Sequence, residues 1–311
     1  MAPRAHPPFR SILCGVDFSA ESAAALRHAA AVAREVAGDL TVVYVNDPLL
    51  LAAAAAGADT RSVERTAREE LQQFVQGTLG RREAHGARCL LESGAPAPTL
   101  LAAAGRRRAD LIVLGTQGLS GVRRLFFGST TLRVLQTTSM PVLAVPPVKP
   151  APRRRWLRGA WVVPLDLGAE SARELRAAAR LAAPFGAALF AVHVVHEMRV
   201  PAWLAGNRRA RLRAQVLDAR ERLGRVVADA NGTARVQRKV LVGSPAETIA
   251  GAAREAHADL LVMTLRGPSR DAGQPRARPG AVAYDVLSRA PAPVLALPPA
   301  FVSRLAGRGR T

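Results

Sequence analysis

The chain repeats itself at a spacing of 149 residues, Leu13 to Val162, and no other feature of the sequence limits its possible folds as strongly. The stretch LCGVDFSAESAAALRHAAAVA from Leu13 returns as VVPLDLGAESARELRAAARLA from Val162, which sets Asp17 on Asp166 and Val45 on Val194. GAPAPTL at Gly94 returns as GSPAETI at Gly243, and ADLIVLG at Ala109 as ADLLVMT at Ala258. Past Gly118 and Gly267 the spacing grows to 152, so the second copy carries a longer loop before Gly128 meets Gly280 and PVLAVPP meets PVLALPP. Self-similarity at one fixed period marks a duplicated structural unit, and 311 residues suffice for two domains that each bury a core. The first domain is assigned to residues 9–147 and the second to 157–299. Prolines and charges make 148–156 a linker, and 300–311 is expected to be a disordered basic tail without periodicity.

Within the first copy SILCGV, LTVVYV, ARCLLE, DLIVLG and PVLAV are short β-branched runs. Ala/Leu-rich segments near 20–37, 60–84, 97–107 and 128–138 have helical spacing. Strand and helix alternating at these lengths predict an α/β fold, a five-stranded parallel sheet with helices on both faces in each copy. Such sheets bind ligands beyond the carboxyl ends of their strands.

One loop lies at such an end. GTQGLSGVRRLFFGST, residues 115–130, runs Gly115-x2-Gly118-x9-Gly128-Ser129 and then enters a helix. Glycines there let backbone N–H groups approach a bulky anion and permit the positive φ angles of an anion-holding nest. Ser129 and Thr130 add donors at the positive end of the helix dipole. A glycine-rich loop closed by a capping serine has the same composition. Asp17, at the end of the first strand, can accept from ribose hydroxyls or an adenine amine, or cap the helix that follows. Arg123 and Arg124 are equally compatible with phosphate neutralisation and with solvation.

Residues 9–147 resemble a universal stress protein domain of the UspA type, through ILCGVDFS, VVYVND and the G-x2-G-x9-G-[S/T] pattern of that family's ATP-binding branch. The resemblance implies two tandem Rossmann-like domains of the adenine nucleotide alpha hydrolase-like kind. It implies ATP accompanied by Mg²⁺, with Gly15, Val16, Asp17 and the backbone near Val45 at the adenosine end. Gly115, Gly118, Gly128, Ser129 and Thr130 would hold the phosphates, with Leu114 and Gln117 nearby. Gly15 departs from the proline common at that position. Family domains commonly pair through their last strands, so residues 141–145 and 293–297 are expected to form an intrachain pseudo-dimer, with a further homodimer possible. The implied role is a stress-response sensor or regulator acting on a protein partner the sequence does not name. In the second copy Thr264 replaces Gly115, Ala281 replaces Ser129, and twelve residues separate Gly267 from Gly280. ATP is therefore expected in the first copy, and Arg266, Arg270, Arg276 and Arg278 belong to a solvated loop or to a site for another anion.

No G-x4-G-K-[S/T] loop is present, which excludes a P-loop NTPase on pattern. No general base is aimed at the loop, so hydrolysis, if any, is expected to be slow, and no catalytic residue or metal-ligand set is assigned. Cys14 and Cys89 stand far apart and read as small hydrophobes. His193 and His196 read as strand-end residues, and His28, His85 and His257 as satisfied or surface residues. The start MAPRAHPPFR lacks an apolar stretch, and the run PLLLAAAAAGA from Pro48 is too short to span a bilayer, so a cytoplasmic protein is expected. Net charge is +20, with 16 Arg against 12 carboxylates in residues 1–148 and 27 cations against 12 in 150–311. A GC-rich coding sequence gives such an arginine excess, and so does a surface for nucleic acid, membrane or acidic protein. The alternative function is accordingly a nucleic-acid-associated stress factor working through the second half.

Overall fold

Each copy of the repeat folds around its own parallel sheet. The computed structural model describes residues 8–46, 60–117, 128–147, 152, 156–197, 207–230, 236–265 and 281–307. The chain divides between Trp156 and Leu157 into two compact units. In the first, β1 (Ser11–Val16), β2 (Asp39–Asn46), β3 (Ala87–Ser93), β4 (Leu111–Gly115) and β5 (Val142–Val145) alternate with α1 (Ala20–Val36), α2 (Thr60–Leu79), the single turn α3 (Arg81–Ala84), α4 (Pro96–Arg106) and α5 (Ser129–Thr137). The strand order is β3-β2-β1-β4-β5 and the pairings are parallel. The second unit contains β6 (Ala160–Pro164), β7 (Ala188–His196), β8 (Val236–Gly243), β9 (Leu260–Thr264) and β10 (Val294–Leu297). Its helices are α6 (Ser171–Ala182), α7 (Arg208–Asp229), α8 (Pro245–Glu255), α9 (Ala281–Arg289) and α10 (Pro299–Gly307). Its strand order, β10-β9-β6-β7-β8, is that of the first unit read in the opposite direction.

The middle of the first sheet has no wet face. Ile12 to Val16 of β1 and Leu111 to Leu114 of β4 are buried without alternation, as a sheet covered on both sides requires. Cys14 is fully buried there, where loss of hydration pushes its thiol well above the ordinary range. α1 covers these strands with small residues, Ala25, Ala29 and Ala31 among them, which let helix and sheet approach closely. The helix starts at Ser19, whose hydroxyl accepts from the Ser22 N–H at 3.0 Å, and stops at Ala37 in the left-handed region.

Backbone conformation repeats as the sequence does. Phe18 and Leu167, Ala37 and Gly186, Gly94 and Gly243, and Arg108 and His257 all have positive φ, and each pair keeps the spacing of Leu13 to Val162. At Gly94 (φ 142°) and Gly243 (φ 149°) a Cβ would also come within 2.6 Å of the hydroxyl of Thr99 or Thr248. Only glycine fits both the torsion and the space.

The carboxyl-terminal segment departs from expectation. Part of the segment 300–311, read from sequence as a disordered tail, belongs to α10 (Pro299–Gly307), which buries Val302 and Ala306 and takes a hydrogen bond from the Arg180 guanidinium of α6 on the Leu305 carbonyl. Two apolar contacts four residues apart in so short a segment leave little periodicity to detect. His28 lies on the buried side of α1, donating from Nδ1 to the Ala24 carbonyl at 2.8 Å and meeting Trp156 edge-to-face at 5.2 Å. Burial, assisted by the charge of Arg27 and opposed by the Ala24 hydrogen bond, lowers its pKa below the ordinary 6.5. The unfolded chain therefore takes up a proton below pH 6.5 that folded His28 refuses, and stability falls as pH drops through that window. Urea midpoints at pH 7 and pH 5 will show a smaller loss for His28→Phe than for the unaltered protein.

Candidate functional site

Where the strand order reverses, between β1 and β4, the following helices leave to opposite sides and a crevice opens at the strand ends. In the first unit that crevice is a solvent-open cleft with about 790 Å³ of empty space. Gly15, Val16, Asp17, Val45, Leu114, Gly115, Gln117, Gly128, Ser129 and Thr130, all expected from sequence, line it. Gly118, Arg123 and Arg124 lie outside the described residues, as do Arg266, Gly267, Arg270, Arg276, Arg278 and Gly280 of the second unit. Ser22, Val43, Tyr44, Pro96, Leu100 and Thr131 also line the cleft and were not expected. Tyr44 and Thr131 adjoin residues that were singled out. Pro96 and Leu100 reach the cleft from α4, a helix whose sequence carries no polar signal of a site.

Two hydrogen bonds fix the neck of the glycine loop. The Gly128 N–H donates to the Thr116 carbonyl at 2.8 Å, and Thr131 Oγ1 donates to the Gly115 carbonyl at 2.7 Å. The end of β4 and the start of α5 are thereby held side by side. No side chain caps α5, whose first turn leaves N–H donors at the positive end of the helix.

The glycines serve differently from the expected nest. Neither Gly115 nor Gly128 has the left-handed torsion of such a nest. A Cβ at Gly115 would stand 3.2 Å from the backbone of Glu21, so packing of α1 on β4 accounts for this glycine. At Gly15 a Cβ would meet Leu114 Cδ2 at 2.7 Å and the methyls of Leu100 at 3.1 and 3.2 Å. Gly128 is another matter: its φ is −57°, and the nearest atom to an added Cβ is the Thr116 carbonyl oxygen at 3.6 Å. Among the described residues nothing there excludes a side chain.

Asp17 anchors the opposite side of the cleft. Its Oδ1 accepts from both the N–H (3.1 Å) and the hydroxyl (2.5 Å) of Ser19. Asp17 therefore holds the residue that caps α1, in place of capping the helix directly. Phe18, strained at φ 63°, packs against Tyr44 at 4.3 Å and Phe74 at 5.4 Å, contacts that hold the turn in place. Burial, then Glu70 and Asp17, raise the phenol pKa of Tyr44 above 10, so it stays a neutral donor in the cleft. Asp17 and Tyr44 are the ionisable side chains in the described lining, which leaves backbone N–H groups and α5 to supply positive potential.

At the corresponding positions of the second unit Pro164 stands for Gly15, His193 for Tyr44 and Thr264 for Gly115. Ala281, Val282 and Ala283 replace Ser129, Thr130 and Thr131, and Val282 is 49% exposed. The three hydroxyls at the helix start are gone. Asp166 still bonds the turn after its strand, its Oδ1 accepting from the Gly168 N–H at 2.8 Å and the Ser171 hydroxyl at 3.0 Å, but α6, entered at Glu170, has no side-chain cap. His196 ends β7 as expected, whereas His193 lies within the strand and bonds through Nδ1 to the Leu165 carbonyl at 2.8 Å.

The sequence model of the Universal stress protein family matches residues 8–146 and again 161–298. The chain belongs to that family. Among its relatives, a universal stress protein of Methanocaldococcus jannaschii is 30% identical over 139 residues, 44% of this chain and 82% of that protein. One from Thermus aquaticus is 34% identical over 140 residues, 44% of this chain and 98% of that protein. A universal stress protein structure from Archaeoglobus fulgidus shares the fold with a TM-score of 0.60 at 18% identity, covering 93% of this chain and 98% of that one. No described helix is long and apolar enough to cross a membrane.

Asp17→Ala removes the acceptor that orders Ser19 and will cost about 1 kcal/mol of stability. Asp17→Asn keeps an Oδ1 acceptor and will cost less than half as much. Equal losses in chemical denaturation would show that the charge of Asp17, and not its bond to Ser19, supports α1.

Proposed function

We propose that this universal stress protein is a sensor or regulator that binds ATP in its first unit. The observation that carries the reading is Gly128, whose torsion and surroundings accept a side chain, yet which stands between the end of β4 and an uncapped helix start. A ligand that needs the space of its Cβ accounts for the glycine where the described residues do not. Phosphates fit that position, since orphan N–H groups and the helix dipole favour an anion. The adenosine end then falls to Gly15, Val16, Asp17 and Val45, with the Asp17 carboxylate as acceptor for ribose hydroxyls. Mg²⁺, which keeps most of its waters and takes few protein ligands, fits the hydroxyls of Ser129 and Thr130 beside those phosphates. No histidine or lysine lines the described cleft to activate a water, in keeping with slow turnover at most and with a readout by occupancy. β5 and β10 each lie at one edge of their own unit's sheet and are wholly apolar, VLAV and VLAL, in keeping with a pseudo-dimer joined through residues 141–145 and 293–297.

Isothermal titration of ATP with Mg²⁺ into the full chain will give about one site. Losing the Ser129 hydroxyl and reshaping the loop remove contacts of roughly 1.5–3 kcal/mol each, so any binding by the second unit will be weaker by about two to four powers of ten. Gly128→Val will abolish binding without changing the circular dichroism spectrum or the melting temperature appreciably. A well-folded Gly128→Val protein that binds ATP as before, or two equivalent sites per chain, would overturn the assignment. A crystal structure with residues 141–145 and 293–297 far apart would reject the pseudo-dimer.

A further inference from the structure

We propose that the flank of α7 beside β8, together with Arg238 of β8, binds the phosphate backbone of a nucleic-acid duplex. α7 buries Ala219 and Leu223, half-buries Leu212, Val216, Gly224, Val226 and Val227, and exposes Arg209, Arg213 and Arg220. At 3.6 residues per turn Arg209, Arg213 and Arg220 fall within about 40° of one another, and Gly224 continues the line. Arg238 completes the row, because its guanidinium nitrogen lies 3.0 Å from where a Gly224 Cβ would be. With 1.5 Å of rise per residue, the row from Arg209 to Gly224 is about 22 Å long. Arg209, Arg213, Arg220 and Arg238 are exposed and form no ion pair among the described residues. Asp218 and Asp229 of the helix sit about 140° or more around it from the three arginines, and Glu221 about 80° from Arg213. Asp218 is engaged there with Arg222 at 3.6 Å.

Coding composition does not account for this row. α2 holds the corresponding place in the first unit and carries three arginines against three glutamates, whereas α7 carries seven arginines against three acids. Both helices were written in the same arginine-rich gene, yet only one is cationic.

The surface also selects among anionic partners. Neither α7 nor β8 contains an aromatic residue, so unpaired bases would find nothing to stack on. Leu217, 59% exposed, is the one large apolar side chain of α7 exposed among the described residues, too little for a helix lying in a membrane surface or for the apolar anchor cluster of a protein interface. A row of guanidinium groups on a convex helix matches a regular row of phosphates. At 3.4 Å of rise per strand residue, about 22 Å runs beside roughly six of them. Contacts of this kind carry no base specificity.

The test is fluorescence anisotropy of a labelled 30-base-pair DNA duplex of mixed sequence, titrated with the full chain between 50 and 200 mM salt. Four phosphate contacts weaken binding by about 150-fold over that range. The combined variant Arg209→Gln, Arg213→Gln and Arg220→Gln should bind at least tenfold more weakly at 50 mM salt and reduce the salt slope by about 2.7, while binding ATP as before. Arg238→Gln alone, on a strand, should reduce the slope by about 0.9 and checks the row without touching the helix. The proposal fails if both variants match the unaltered protein, which would place the cations elsewhere, for instance at Arg266 to Arg278. It also fails if the unaltered protein ignores the duplex and instead binds anionic phospholipid vesicles or polyglutamate.

Discussion

The parallel pairing of β1 with β4 is the constraint on which the first unit depends. Ile12, Leu13 and Cys14 lie against Leu111, Ile112 and Val113, two strands distant in sequence but adjacent in the sheet. The segments that follow these strands leave on opposite sides, so a crevice at their ends is a consequence of topology before any side chain is chosen. Everything placed there reinforces it: Asp17 fixes the start of α1, Thr131 ties α5 to the end of β4, and Gly115 lets the backbone of α1 come close. The same pairing recurs in the second unit, where Trp161 and Val162 meet Leu260 and Leu261. The fold is thus maintained separately from the chemistry of the cleft, and one copy carries hydroxyls that the other lacks.

Much of this was legible in the sequence because parallel strands buried on both faces read as unbroken apolar runs. SILCGV coincides with β1, and the expected helix near 128–138 with α5 at Ser129–Thr137. The cleft residues that could be named in advance were those next to punctuation, the glycines and the strand-end aspartate. Leu100 and Pro96 could not be, since an apolar helix face pointing at a ligand looks the same in sequence as one pointing at a core. The function of each glycine was also hidden. Gly115 and Gly128 have the same appearance in the loop pattern, but one is crowded by Glu21 across a helix contact and the other by none of the described residues. Distances, which a sequence does not contain, separate the two.

The duplicated units allow each surface to be compared with a counterpart on the same fold. By that comparison the polar start of α5 and the arginine row of α7 are both local: each appears in one unit and is absent from the matching helix of the other. A hydroxyl-bearing helix start in the first copy and an arginine-lined helix in the second are the arrangement these differences describe.

The paired left-handed residues show what such divergence had to respect. Phe18 became or came from Leu167, and Ala37 shares its torsion with Gly186, so side chains were exchanged while the sign of φ was kept. A β-branched residue at any of these positions would carry a steric penalty that the surrounding packing would have to absorb. Mutational drift in this gene has therefore run along permitted torsions, and the turns at the strand and helix ends preserve a record of the ancestral single domain that survives where the side chains no longer agree.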